Sequence, residues 1–427
     1  MSKDASAAPS VEPIGAVGRG GAGPHATAGA DPGADAPAPA FRDLSPRALR
    51  RWNYATRAWL GALWAVTVAL MLGLMRRGTY DLLLLIAVAF AAMASVVLVH
   101  ECGHWLAARW RGMSVAMVVI GPVELQPRRR GLRARLRVRS EARKGLGGWV
   151  VAFPDPRRRL RRDGLWLAAG GSLVNLAFAA LCLIGGLLLE PSYLRSALWL
   201  IAAMNAGIGA LNLMPYLVGG HTPSDGLILW RLAHNRYRDV PGATLKLLMG
   251  HLAAGLPAQA LDPALLRRMA AEPEPMPLLA DWLDFENALR GDDPTAIAAA
   301  LARLREREAG YAPALRESIG DLVAVCELQD AFRRALDGEA DAARSLAAFD
   351  LRRPGMWRAP HLAPRVRALS AALRGEAALA RAELERSRRY ADNDPVPGVA
   401  EYEAGLRERV AALIAPRPAA ATAGAAP

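Results

Sequence analysis

The sequence predicts an all-α membrane protein: four transmembrane helices with a short membrane-surface β hairpin, followed by a cytosolic α-helical domain. Three observations predict it. Hydrophobic residues make up 53% of the 427-residue chain and gather in four long uncharged runs in its first half. Arginines crowd some of the connections around those runs and are sparse in the others. Beyond Trp230 the apolar residues recur instead at the period of an amphipathic helix, as in "DLVAVCELQDAFRRAL".

Residues 1–40 are rich in Ala, Gly and Pro and lack the basic-then-apolar layout of a signal peptide. They cannot build a core, so a disordered N-terminus is expected. A membrane domain follows over 41–231, with spans at about 58–75, 82–107, 164–189 and 196–218, each near the ~20 residues that cross a bilayer. Arg47, Arg50, Arg51 and Arg57 precede the first span. Fourteen Arg or Lys lie between Pro127 and Asp163 against three acids, whereas the opposite connections hold only Arg76, Arg77 and Arg195. Because basic residues are retained on the cytoplasmic side, both termini are expected there, in a multi-pass protein of a bacterial inner (cell) membrane.

That topology also accounts for much of the net charge of +13, with anionic headgroups facing the arginines. No aromatic-rich face accompanies the charge, so no nucleic-acid partner is expected. Between the second and third spans, "MSVAMVVIGPVELQ" (113–126) is Val-rich and too short to cross the bilayer. With the alternating "LRARLRVRS" it reads as a surface hairpin whose edge could take up an extended peptide. The cytosolic helical domain occupies 232–415, before a disordered tail at 416–427. In it "AALRGEAALARAELERS" has tetratricopeptide-like spacing, but no period of about 34 residues repeats, which leaves an ordinary bundle equally open. Cys102, Cys182 and Cys326 have no ligand-like spacing, and disulfides are not expected.

The chemistry concentrates in "VLVHECGHWLAARW" at the end of the second span. His100 and His104, four residues apart, share one helix face and can bind one metal ion. Glu101 projects about 100° around the helix from His100, within reach of a water on that metal. As polar residues of a helix end they could merely face headgroups. Ionisable groups within a membrane are costly, however, at roughly 2.5 to 3.5 kcal/mol each, and mark function by default. A catalytic zinc needs a third protein ligand and an open position. The span-four segment "LNLMPYLVGGHTPSDGLILW" offers Asp225, otherwise an Asx-type cap of the helix that follows, and His221 as its rival. Asn175 is the strongly polar side chain deep in span three. Asn205 and Asn212 share a face of span four, where Asn205 reads as an interhelical hydrogen-bonding residue.

Together "HECGH", "AGGSLVNL" and "NLMPYLVGGHTPSDG", in this order over about residues 81–231, resemble the site-2 protease family of intramembrane zinc metalloproteases. The resemblance implies one zinc ion held by His100, His104 and Asp225, with Glu101 as catalytic glutamate. Asn175 matches the asparagine of a Gly-x-x-x-Asn motif and Asn212 that of an Asn-x-x-Pro motif, both implied to contact substrate or oxyanion. Gly171-Ser172 stands where the family often has Gly-Pro. The implied activity is endoproteolysis within transmembrane segments of membrane-anchored substrates, by a chain that contacts the lipid bilayer. The 111–163 connection leaves no room for a PDZ domain, so a regulatory partner is expected at the helical domain. The alternative is a catalytically silent membrane scaffold with a helical partner-binding domain.

Overall fold

The computed structural model describes residues 41–75, 82–137, 147–218 and 222–414. The expectations for 1–40 and 416–427, and the rival ligand His221, lie outside the described residues. The architecture is mostly helical, with four helices long and apolar enough to cross a membrane and a small antiparallel sheet. Those helices are α1 (Pro46–Met75), α2 (Leu82–Trp110), α3 (Leu160–Leu187) and α4 (Tyr193–Asn212). Two of them extend well ahead of their apolar runs through arginine-bearing segments, α1 over 46–57 and α3 over 160–163, and α4 is N-capped by Ser192, which accepts from the Arg195 amide. The fourth helix stops at Asn212, short of the 218 read from sequence. Pro215 explains the difference, because its ring disfavours helical geometry at Met214 and it offers no amide to the ladder.

Small residues set the helix spacing. A Cβ at Gly103 of α2 would strike the Gly170 carbonyl of α3, and one at Gly207 of α4 would strike the Leu63 side chain of α1. The same contact lets Trp59 Nε1 donate to the Gly207 carbonyl at 2.8 Å. A buried ion pair, Arg111–Asp163 at 2.6 Å, fixes the end of α2 to the start of α3.

The surface hairpin expected over 113–126 is the centre of a larger sheet. Strands β1 (Ser114–Ile120), β2 (Val123–Pro127), β3 (Leu132–Leu136) and β4 (Gly148–Phe153) are antiparallel in the order β3-β2-β1-β4. Residues 113–126 therefore have strands on both sides and cannot offer an edge. The outer strands are β3 and β4, the latter paired to β1 through Val119↔Trp149 and its neighbours. Met113, Val115, Val118 and Ala152 cluster with Ala108 of α2, which seats the sheet on the motif-bearing helix.

After α4, a short hairpin of β5 (Leu217–Val218) and β6 (Thr222–Pro223) leads into α5 (Asp225–His234) and α6 (Ala243–Ala253). The remaining helices run from α7 (Pro263–Ala270) to α15 (Pro397–Ile414), with α12 (Pro354–Arg358), α13 (Leu362–Leu373) and α14 (Ala377–Asp392) among them. Three apolar clusters pack these helices, around Leu248 with Met269, around Phe285 with Leu304 and around Phe332 with Leu369.

This helical region docks on the sheet. Arg128, next to β2, pairs with Asp394 at 2.7 Å, both largely buried, and Asn393 exchanges hydrogen bonds with the Arg130 backbone. Part of the arginine-rich connection, read from sequence as facing headgroups, thus holds protein to protein. Removing one partner of a buried pair strands the other, so Arg128→Ala is expected to cost about 3 kcal/mol. Thermal unfolding, or the rate of proteolytic release of the helical region, would measure it. The Arg128→Met/Asp394→Met double variant should recover part of the loss.

Candidate metal centre

Three elements converge on one group of donor atoms. One helical turn separates His100 and His104 on α2, and their rings stand nearly perpendicular, at 88°. The approach of α3 is close because Gly171 faces them: a Cβ there would lie 2.6 Å from His104 Nε2 and 2.7 Å from His100 Cε1. The Leu167 carbonyl of α3 accepts a hydrogen bond from His104 Nδ1 at 2.6 Å. That bond leaves Nε2 as the lone-pair nitrogen aimed at the site.

Asp225 arrives from the other side. Ser224, not Asp225, is the N-cap of α5: its Oγ accepts from the Leu227 and Tyr216 amides and donates to the Met214 carbonyl at 2.7 Å. The Asx-type capping role considered for Asp225 is thereby taken by its neighbour, and the Asp225 carboxylate is free to face the histidines. A Cβ at Gly226 would strike the Leu213 carbonyl, so only glycine lets α5 start this close to the end of α4. Ser224→Ala removes three hydrogen bonds from this turn, and a metal ion held by Asp225 and the histidines is expected to bind about tenfold more weakly in that variant. Competition against a graded chelator would read the change.

The resulting donor triangle is nearly regular. His100 Nε2 and His104 Nε2 are 3.1 Å apart, and Asp225 Oδ2 lies 3.1 Å from the first and 3.3 Å from the second. Zinc bonds of about 2.0 to 2.1 Å in a tetrahedron put donors roughly 3.3 Å apart, so the residues present fit that ion and leave a fourth position open. His100, His104 and Asp225 form the one such group among the described residues.

Glu101 is buried beside this group, and its Oε2 has no hydrogen-bond partner among the described residues. Gly148, the first residue of β4, passes so close that a Cβ would strike the Glu101 side chain. The outer strand of the sheet therefore runs alongside the glutamate. Sequence reasoning missed Gly148, although a glycine pair opening a strand, as in "GLGGW", is the signal for a close backbone approach, and it named Gly171 as a motif residue without its closeness to the histidines.

The asparagines separate. Asn212 reaches the group, with Nδ2 3.5 Å from His100 Nε2 and its Oδ1 accepting from the Tyr216 hydroxyl at 3.5 Å. Asn175 is fully buried a turn away, where its Nδ2 donates to the Val96 carbonyl at 3.4 Å and its Oδ1 has no partner among the described residues. Asn205 donates to Ser95 Oγ and to the Ile201 carbonyl, linking α4 to α2.

Residues 88–195 match the model of peptidase family M50, the site-2 protease family. The match holds His100, Glu101, His104 and Asn175 and ends before Asn212 and Asp225. No curated protein and no solved structure matches the chain.

Proposed function

From an integral membrane domain that carries a segment of peptidase family M50, we propose that this protein is an intramembrane zinc metalloendopeptidase cleaving transmembrane segments of membrane-anchored substrates. The single observation that carries the reading is the His100, His104 and Asp225 triangle with Glu101 beside it, whose Oε2 has no partner among the described residues. A zinc ion held by these three residues would supply Lewis acidity, polarising the scissile carbonyl and making water a nucleophile near neutral pH.

The chain's own groups do the rest. Glu101 takes the water proton at a carboxylate oxygen and delivers it to the leaving amine. Asn212, beside His100, is the amide better placed to donate to the developing oxyanion. Asn175 would first have to release the Val96 carbonyl, so its role is contact with substrate rather than charge stabilisation. A substrate helix hides its peptide bonds in its own ladder and must be extended before attack. Pairing along the outer strand β4 would hold it extended next to Glu101, a place that 113–126 cannot supply.

The arginine distribution supports cytoplasmic termini, with the sheet and the helical region on the cytoplasmic side of a bacterial inner membrane. Docking of the helical region on the sheet supports a regulatory role for it, exercised through a protein partner on its helix pairs, which we read as tetratricopeptide-like.

Metal analysis of the purified chain tests this reading against the silent scaffold. The wild type is expected to carry one zinc per chain and to cleave single-span membrane proteins, and His100→Ala to lose both. A wild type without zinc, whose properties His100→Ala leaves unchanged, would favour the scaffold.

A further inference from the structure

A cavity of about 430 Å³ lies where the sheet meets the helical region. Its wall holds six arginines: Arg133 and Arg135 of β3, Arg352 and Arg353 before α12, Arg367 of α13 and Arg386 of α14. No aspartate or glutamate among the described residues lines it. Behind the wall, three carboxylates pair with these guanidiniums among the described residues. Glu124 takes Arg135, Asp321 takes Arg353, and Glu383 is shared by Arg367 and Arg386. Among the described residues, Arg133 and Arg352 form no ion pair, and Arg367 and Arg386 share one carboxylate, so positive charge is in excess at this wall.

Arg133 is the centre of that excess. Its guanidinium lies over the Trp357 ring at 3.9 Å and near the Tyr390 ring at 5.3 Å, and it donates to the Trp357 carbonyl at 3.0 Å. It has no carboxylate partner among the described residues. Burial, followed by the charges of Arg128 and Arg135, lowers its affinity for its proton below the ordinary arginine value. The Arg352 guanidinium also forms no ion pair among the described residues, while its backbone amide donates to Asp350 Oδ1 at 2.9 Å, and the residue is exposed at the mouth.

Guanidiniums held this way match phosphate oxygens in forked pairs, and at neutral pH each phosphate monoester brings about 1.5 to 2 negative charges and each diester about 1. Two phosphate groups would therefore offset most or all of the excess. The volume falls in the range of roughly 300 to 1,000 Å³ typical of small-ligand sites. We propose that this cavity binds a ligand bearing two phosphate groups, either a soluble molecule or a lipid headgroup, and that the ligand fastens β3 to the helical region. The site is separate from the metal centre, and its occupancy is measured without cleavage, so either proposal can fail alone.

The test uses the full chain in phosphatidylcholine nanodiscs, titrated calorimetrically with inorganic pyrophosphate, and in parallel nanodiscs with cardiolipin, whose headgroup carries two phosphates. A soluble ligand predicts saturable pyrophosphate binding, weakened at least tenfold by Arg133→Gln and by the exposed substitutions Arg352→Gln and Arg386→Gln. A headgroup predicts no pyrophosphate binding but a higher unfolding temperature with cardiolipin, lost in the same variants. Arg305→Gln, remote from the cavity, should leave either response unchanged. Absence of both responses, or responses equal in wild type and cavity variants, would overturn the proposal.

Discussion

Glu101→Gln is expected to retain zinc at the wild-type level and to cleave about a thousandfold more slowly, within the usual contribution of a positioned general base. The substitution keeps the side chain's size, so the fit against Gly148 is undisturbed, and it touches none of the three donor atoms. What it removes is a buried carboxylate oxygen that no other described group engages. An amide cannot accept the water proton, so the loss belongs to the chemical step. Single-turnover cleavage of a single-span substrate in proteoliposomes, run beside a zinc assay on the same samples, separates that loss from metal depletion. Cleavage at the wild-type rate would remove Glu101 from the mechanism.

Gly171→Ala is expected to act through the metal instead. The added methyl would sit 2.6 Å from His104 Nε2 and 2.7 Å from His100 Cε1, inside the contact distance of both histidines. Neither ring can simply retreat, because His104 Nδ1 is tied to the Leu167 carbonyl and α2 meets α3 at Gly103 and Gly170. Disturbing what orients zinc ligands typically costs 10- to 100-fold in affinity, and a loss of that size is expected here. Zinc content after dialysis against a graded series of chelator concentrations measures it, and excess zinc should restore part of the cleavage. Wild-type retention of zinc would mean that α3 does not shape the site as described.

These two residues mark what could and could not be read from the chain. His100, Glu101 and His104 were legible because helix periodicity alone places four-residue neighbours on one face, and an apolar context makes ionisable groups expensive. Asp225 was legible as a candidate only. What turns it to the histidines is the cap formed by Ser224 and the glycine start of α5, a tertiary arrangement without a local pattern. Gly171 and Gly148 act by the space they leave for side chains distant in sequence, which no periodicity reports.

The sheet was half legible for a similar reason. The Val-rich hairpin and the alternating "LRARL" are local signals. β4, the segment "GWVVAF", is apolar throughout and separated from its partner β1 by two strands, so its pairing is decided by the packing of Ala152 against Val115 and Val118. Its arrival moves the expected peptide-binding edge from 113–126 to 148–153. The docking of Arg128 on Asp394 spans 266 residues and was hidden behind a sufficient explanation of the arginines by topology.

The most direct test of the account is a comparison of membrane proteomes from cells carrying the wild type and cells carrying Glu101→Gln, with the new peptide termini mapped. The account predicts termini that lie within transmembrane segments of membrane-anchored proteins, present with the wild type and absent with the variant. Identical termini in the two membranes, at equal protein levels and equal zinc content, would contradict it.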